Sequence, residues 1–221
     1  MTEPMSMVAA ALAGVPAGVQ AIGPWAGRRQ LFVRFAGEAE TATMYGAPAL
    51  VREIDRQLGR SAFHSIVIGG RDPLGNLPFL HAALGAAKPR VPVMLDTDGQ
   101  RPQELAEVLD HFALIQVTMD FSGGEASFDH AISSLQVSAK HGIPHALVFL
   151  AREDTPDSQM LRLVQEARRT SASVQVVIHP YMSADSAPSL DRRWATLLEQ
   201  AMAMHADVRL AMRLPAPTGL R

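Results

Sequence analysis

Short apolar runs recur along the chain, and each is followed by a stretch whose apolar positions repeat at helical spacing. Phe32-Val33-Arg34-Phe35 reads as a strand, and Val51, Ile54 and Leu58 then mark a helix. The β-branched run 65–68 stops at Gly69-Gly70, and 77–84 reads as the next helix. Strand 92–95 leads to a helix with Leu105, Val108, Leu109 and Phe112 on one face and Pro102 in its first turn. Strand 114–119 precedes a helix over 128–140 that Gly142-Ile143-Pro144 ends. Strand 146–150, a helix over 158–169, strand 174–178, a helix carrying Leu190, Trp194, Leu197, Leu198 and Ala201, and a closing strand 208–212 complete the series.

Strands this apolar are buried on both faces, and their alternation with helices predicts a mainly parallel sheet. The period of about 30 residues is one βα unit. Six such units are too few for a closed eight-fold barrel, so the expected class is α/β, a partial (β/α)6-type barrel. Ligands of such folds sit at the carboxyl ends of the strands. The loops after Phe35, Ile68, Leu95, Met119, Leu150 and Ile178 are therefore where a site should lie. Residues 1–19, rich in Ala and Met, read as an N-terminal extension, and 20–221 as a single domain.

The chain has 221 residues, 48% hydrophobic and 19% charged, which suits one core of ordinary size. A net charge of -2 with no basic run argues against nucleic-acid binding. The apolar stretch 8–12 is far short of a membrane span, and 1–19 lacks the Lys or Arg of a secretory signal. A cytoplasmic protein with no membrane association is expected. The cysteine count is zero, which excludes disulfides, zinc–thiolate sites, a thiol nucleophile and a Cys-ligated iron–sulfur cluster.

Taken singly, the loop residues leave alternatives open. Gly69-Gly70 is either a plain turn or a place where backbone approaches a ligand. Asp96-Thr97-Asp98-Gly99 is a turn, a cation site or a ribose clamp, and it lacks the closing Glu of a calcium loop. His179 stands at a strand end. No His pair has zinc-ligand spacing, and the pair His141 and His145 is interrupted by Gly142 and Pro144. Neither a Gly-x-Ser-x-Gly elbow nor a phosphate-binding loop is present.

The order of these loops resembles radical S-adenosylmethionine enzymes. The opening Trp25-Ala26-Gly27-Arg28-Arg29-Gln30-Leu31-Phe32-Val33-Arg34-Phe35-Ala36-Gly37 is similar to that of 7-carboxy-7-deazaguanine synthases. Ile68-Gly69-Gly70-Arg71-Asp72-Pro73-Leu74 resembles their Gly-Gly-Glu-Pro-Leu, with Arg for Glu and one residue inserted. Leu95-Asp96-Thr97-Asp98-Gly99 resembles their acidic-Thr-Asn-Gly motif, and Ile178-His179-Pro180 their late adenine-side strand. The same Gly-Gly and Asp-Thr motifs are similar to those of pyruvate formate-lyase activating enzymes. The likeness runs from about Gln20 to the C-terminus and implies the partial barrel of the radical S-adenosylmethionine type.

The departures are in the chemistry. The family's three cluster cysteines fall on Glu38, Ala42 and Tyr45, and its magnesium-binding Thr falls on Ala47. Its Gln-Gly-Glu-Gly substrate motif reads Gln20-Ala21-Ile22-Gly23, while Arg34 is kept as a substrate-side residue. The resemblance thus implies a protein with no iron–sulfur cluster and no deazaguanine synthesis. Its S-adenosylmethionine contacts would be Gly69, Gly70, Arg71, Asp96, Thr97, Thr118 and His179. A bulky side chain at Gly70 is expected to fill the cleft. Arg71 would repel an ammonium and favour a carboxylate or phosphate.

The expected function is polar chemistry at the sulfonium, such as alkyl transfer, cyclisation or elimination, with Glu38 and Tyr45 as candidate catalytic groups. The alternative is a pseudoenzyme that serves as a structural or regulatory partner of another enzyme. A metal enzyme using Glu38, Glu40, Asp96 and a His matches no familiar spacing, so no metal site is assigned. The family's habit of dimerising makes a homodimer the expected assembly, with a small molecule as ligand.

Overall fold

The computed structural model describes residues 8–180 and 192–211. Its strands are β1 (Ala9–Gly14), β2 (Ala17–Val19), β3 (Arg29–Phe35), β4 (Thr43–Gly46), β5 (Ser65–Gly70), β6 (Val93–Thr97), β7 (Leu114–Asp120), β8 (His145–Ala151), β9 (Gln175–Pro180) and β10 (Val208–Leu210). The helices are α1 (Ala47–Arg60), α2 (Leu77–Ala87), α3 (Pro102–Val108), α4 (Gly124–Lys140), α5 (Asp157–Thr170) and α6 (Arg192–Met204). Leu190 and Met212, expected in the last helix and last strand, lie outside the described residues.

All strands belong to one sheet in the order β10-β9-β8-β7-β6-β5-β3-β1-β4, with β2 paired to β3. From β3 to β10 the neighbours along this path are parallel. They follow chain order with a helix in each crossover, which is the connectivity of a singly wound barrel. β10 and β4 stand at the two ends, so the sheet stays open. The architecture is the expected one: an α/β fold with a mainly parallel, unclosed sheet of partial-barrel type.

Alternate residues of each strand go to different faces. Leu31, Val33, Ile66, Ile68, Leu95, Ile115, Val117, Leu147, Phe149, Val176 and Ile178 join Leu50, Ile54, Leu80, Leu105, Leu135, Leu163 and Leu197 of the helices in the main core. Val67, Met94 and Leu114 form a separate small cluster with Trp25 and Phe32. The helices therefore cover one face of the sheet, and the other forms a trough.

Residues 9–19, set apart by the sequence as an extension, supply β1 and β2. β1 lies antiparallel between β3 and β4, with Leu12 opposite Phe35 and Ala10 opposite Tyr45. Its Ala-rich sequence has little intrinsic strand preference, so its conformation is set by partners on both sides.

Lys88 follows α2 with φ of 37°, in the left-handed region that costs a side-chain-bearing residue about 1 kcal/mol. Lys88→Gly is expected to stabilise the fold by about 0.5–1 kcal/mol, measured by urea unfolding.

Candidate functional site

The trough holds a cavity of about 260 Å³ whose walls include Ile22, Phe32, Val67, Met94, Val148 and Leu150. Across this apolar surface runs a chain of polar side chains. Gln20 Nε2 donates to Gln116 Oε1 at 3.1 Å, and Gln116 Nε2 donates to Asp96 Oδ1 at 3.2 Å. Thr118 Oγ1 donates to the same Asp96 oxygen at 2.6 Å. Gln116 and Thr118 are alternate residues of β7 and so share its inner face, and Asp96 is opposite Gln116 on β6.

The loop before β3 closes over this ladder. Gln20 and the turn at Gly27 and Arg28 are held by Gln20 N to Arg28 O at 3.1 Å and Gly27 N to Gln20 O at 2.9 Å. Gly23, at φ of 109°, lies so close that a Cβ would stand 2.0 Å from Gln116 Oε1. Gln20 is itself buried, yet its Oε1 has no hydrogen-bond partner among the described residues. An acceptor left so costs about 1–3 kcal/mol unless water or a ligand serves it.

Among the described residues Asp96 is the one carboxylate lining this cavity, and burial pushes its pKa up. The bonds from Thr118 and Gln116 work in the opposite direction but do not outweigh desolvation. No cation pairs with it among the described residues. Gly69 lies next to Asp96 across β5 and β6, where a Cβ would come within 3.3 Å of Asp96 Cβ.

At the strand ends the rim is charged. Arg34 pairs with Glu40 at 2.8 Å, and Glu40 also accepts from Gly37 N at 3.0 Å, which folds the segment after β3 back on itself. Arg71 is exposed, close to Gly37. Asp72, at φ of 44°, accepts from Arg101 Nε and Nη2, both at 2.7 Å, and from Gly75 N at 3.1 Å. Arg101, the larger influence, together with the Gly75 amide holds the Asp72 carboxyl below the ordinary range.

Both side chains of that pair are about two-fifths exposed, so solvent screens it and Arg101→Ala is expected to cost only about 1 kcal/mol. Asp72 is depressed in the folded state, so its contribution is complete above the unfolded pKa near 4 and is lost as pH falls through the folded value. The wild-type and Arg101→Ala stability curves, followed by chemical unfolding, should converge in acid.

The structure brings Asp96 and Thr118 together in the cavity and places Gly69 beside them, while Gly70 pairs with Phe35 of β3. Thr97 is on the other face: it is buried, and its Oγ1 accepts from Gly99 N at 3.2 Å. His179 is buried, and its Nδ1 bonds the carbonyl of Ala211 at 2.6 Å, tying the end of β9 to the residue after β10. Glu38 is exposed in a turn. Tyr45 belongs to β4, paired with Ala10 at the sheet's far edge.

The residues at the cluster-cysteine positions therefore do not converge as a ligand set. Ala42 has no donor atom, Tyr45 is built into an edge strand, and no thiolate exists in the chain. They do not fit an iron–sulfur cluster. Among the described residues there is no group of three or more His, Cys, Asp or Glu arranged to hold a metal ion, and no helix is long and apolar enough to cross a membrane.

Gln116 was not picked out by sequence, and Gln20 entered only as the first residue of the altered substrate motif, without a role. A signal was present: in Leu114-Ile115-Gln116-Val117-Thr118-Met119 the polar residues recur every second position within a buried strand. Such alternation marks a polar inner face.

No family model matches this chain, and no curated protein matches it. Among solved structures it is similar to Streptococcus suis SuiB, with a TM-score of 0.51 and 15% identity over 77% of this chain and 44% of SuiB. The chain thus spans less than half the length of SuiB. It also matches 3-dehydroquinate dehydratase from Geobacillus kaustophilus HTA426, with a TM-score of 0.39 and 12% identity over 77% of this chain and 80% of that one. At such identities the likeness to SuiB speaks to fold alone: an α/β fold with a mainly parallel, open sheet of partial-barrel type.

Proposed function

We propose that the trough binds S-adenosylmethionine without a cluster and supports polar chemistry at its sulfonium. The observation that carries this reading is Asp96, a carboxyl with a raised pKa and no cationic partner among the described residues, set in a largely apolar cavity. A desolvated carboxylate favours a cation, and the sulfonium and ammonium of this ligand are cations. Bound S-adenosylmethionine supplies carbon atoms activated for displacement.

In this reading Asp96 holds the positive charge, and Thr118 and Gln116 orient its carboxyl. Gln20 Oε1 accepts from an N–H or O–H of the ligand. Arg71 at the rim receives a carboxylate. Apolar walls from Phe32, Met94 and Leu150 exclude water. Asp96 then replaces Glu38 and Tyr45 as the candidate acid–base group, because those two lie on a turn and an outer strand. Kinship with 7-carboxy-7-deazaguanine synthases, a cytoplasmic setting and a homodimer belong to the same proposal, supported by the motifs around Arg34, Gly69 and Asp96.

Calorimetry with S-adenosylmethionine and with S-adenosylhomocysteine, which lacks the sulfonium charge, tests the reading. S-adenosylmethionine should bind more tightly by about 10-fold or more, as expected for one charge-assisted contact. Absence of both heat and thermal shift with S-adenosylmethionine would refute it. Product analysis should then find an alkylated acceptor, or methylthioadenosine with a cyclised or eliminated aminobutyrate unit.

A second reading, a non-catalytic partner protein, is favoured by the rebuilt segment after β3. Glu40 is spent on Arg34, and Tyr45 is spent on an edge strand. Mass spectrometry of the native complex distinguishes the two: a partner protein carries an obligate second chain and no adenosyl ligand.

A further inference from the structure

The size and chemistry of the trough cavity limit what a second substrate can be. Its volume of about 260 Å³ exceeds the roughly 150 Å³ in which an apolar cavity holds benzene. It falls short of the roughly 300–1,000 Å³ of sites that enclose a drug-sized ligand. A molecule of one or two rings fits such a space.

The polar side chains on its wall have no donor to spare. Gln20 Nε2 donates to Gln116 Oε1 at 3.1 Å and to Met94 Sδ at 4.0 Å. Gln116 Nε2 donates to Asp96 Oδ1 at 3.2 Å and to Thr118 Oγ1 at 3.1 Å, and the Thr118 hydroxyl donates to Asp96 Oδ1. A primary amide has two N–H groups and a hydroxyl has one O–H, so all of them are spent. Asp96 Oδ1 thus accepts two bonds, whereas Asp96 Oδ2 accepts none among the described residues. Asp96 lines the cavity and is only partly buried. A ligand here meets an acceptor and no side-chain donor.

The rest of the lining is apolar, with Ile22, Phe32, Val67, Met94, Val148 and Leu150, and no Lys, Arg or His is among the described residues that form it. An anion would lose its hydration here without a counter-charge. We propose that the cavity is the acceptor subsite, for an uncharged one- or two-ring molecule whose single polar group is an N–H or O–H, as in an indole or a phenol. This rests on S-adenosylmethionine being the ligand of the trough, and among the polar reactions it selects alkyl transfer. S-adenosylmethionine is too large for the cavity and reaches Asp96 from the strand ends. The acceptor's nitrogen or oxygen attacks a carbon on the sulfonium, the carbon–sulfur electron pair returns to sulfur, and the acceptor's proton passes to Asp96.

Indole and benzofuran are suitable probes, since they share a shape but only indole has an N–H. By calorimetry indole should bind about 10-fold or more tightly than benzofuran, the effect of one hydrogen bond to a charged group. Indole-2-carboxylate should not bind. Saturating S-adenosylmethionine should leave indole affinity unchanged or tighter. Ile22→Asp, which places an unpaired carboxylate on the apolar wall, should weaken indole about 10-fold or more without weakening S-adenosylmethionine. If that variant does not fold, the comparison of indole with benzofuran in the wild type decides. Equal affinity for indole and benzofuran, binding of the carboxylate, displacement of indole by S-adenosylmethionine, or unchanged indole binding in folded Ile22→Asp would each overturn the proposal. S-adenosylmethionine binding without indole binding would overturn this proposal alone, whereas no binding of S-adenosylmethionine would overturn the reading on which it rests.

Discussion

Asp96→Asn is expected to weaken S-adenosylmethionine binding about 10- to 100-fold at pH 7, and at the same time to raise the melting temperature of the ligand-free protein by a few degrees. The opposite signs come from one cause. Burial penalises the ionised carboxyl in the folded chain, so its folded pKa lies above the unfolded one. Between those two values the folded state binds more protons than the unfolded state, and stability falls as pH rises through that window. Above the window the whole penalty is present in the wild type and absent in Asn. A bound cation removes the same penalty, so binding should release a proton when pH lies below the raised pKa. Affinity should therefore fall as pH falls through it, in the wild type alone. Calorimetry in two buffers of different ionisation enthalpy measures the proton. If Asp96→Asn binds like the wild type, the sulfonium is not held there.

Gly70→Ala should cost about 3 kcal/mol or more, seen as a drop of roughly 6–12 °C in melting temperature. Gly70 has φ of 99°, and a Cβ on it would stand 2.3 Å from the carbonyl oxygen of Phe35 and 2.7 Å from its nitrogen. Those are backbone atoms of the paired strand β3, so nothing flexible can yield. A bulky residue at Gly70 would thus break the sheet before it filled a cleft. Val148→Trp is the better block: Val148 lines the cavity from β8. It should abolish ligand binding with a smaller loss of stability. Should Gly70→Ala melt within a degree of the wild type, the contact with β3 is not as close as described.

The parallel part of the fold was legible because its signals are local and strong. Each of 65–68, 92–95, 114–119, 146–150 and 174–178 is a short apolar run ended by a helix or turn residue, and each proved to be the body of a strand. β1 and β4 were not legible. Ala9–Gly14 contains no β-branched residue, and Thr43–Gly46 looked like part of a loop. Both are strands because each completes the other's ladder, information that no single segment carries. The site was legible by half. Gly69, Asp96 and Thr118 sit at the trough because strand ends can be read from pattern. The side of the sheet to which a residue points depends on exact register, and Thr97 fell on the helix side for that reason. Gln20 joins the ladder only through the way the 20–28 loop folds over Gln116.

Because the helices shield only one side of the sheet, neighbouring positions along a strand answer to separate demands. Ile66, Ile68, Leu95, Leu147 and Phe149 interlock with the helical layer, while Val67, Met94, Gln116 and Val148 face the trough. The trough can therefore be relined by substitutions at every second position while the load-carrying half of the barrel is left untouched. A lineage could discard one chemistry and adopt another without ever passing through an unfolded intermediate sequence.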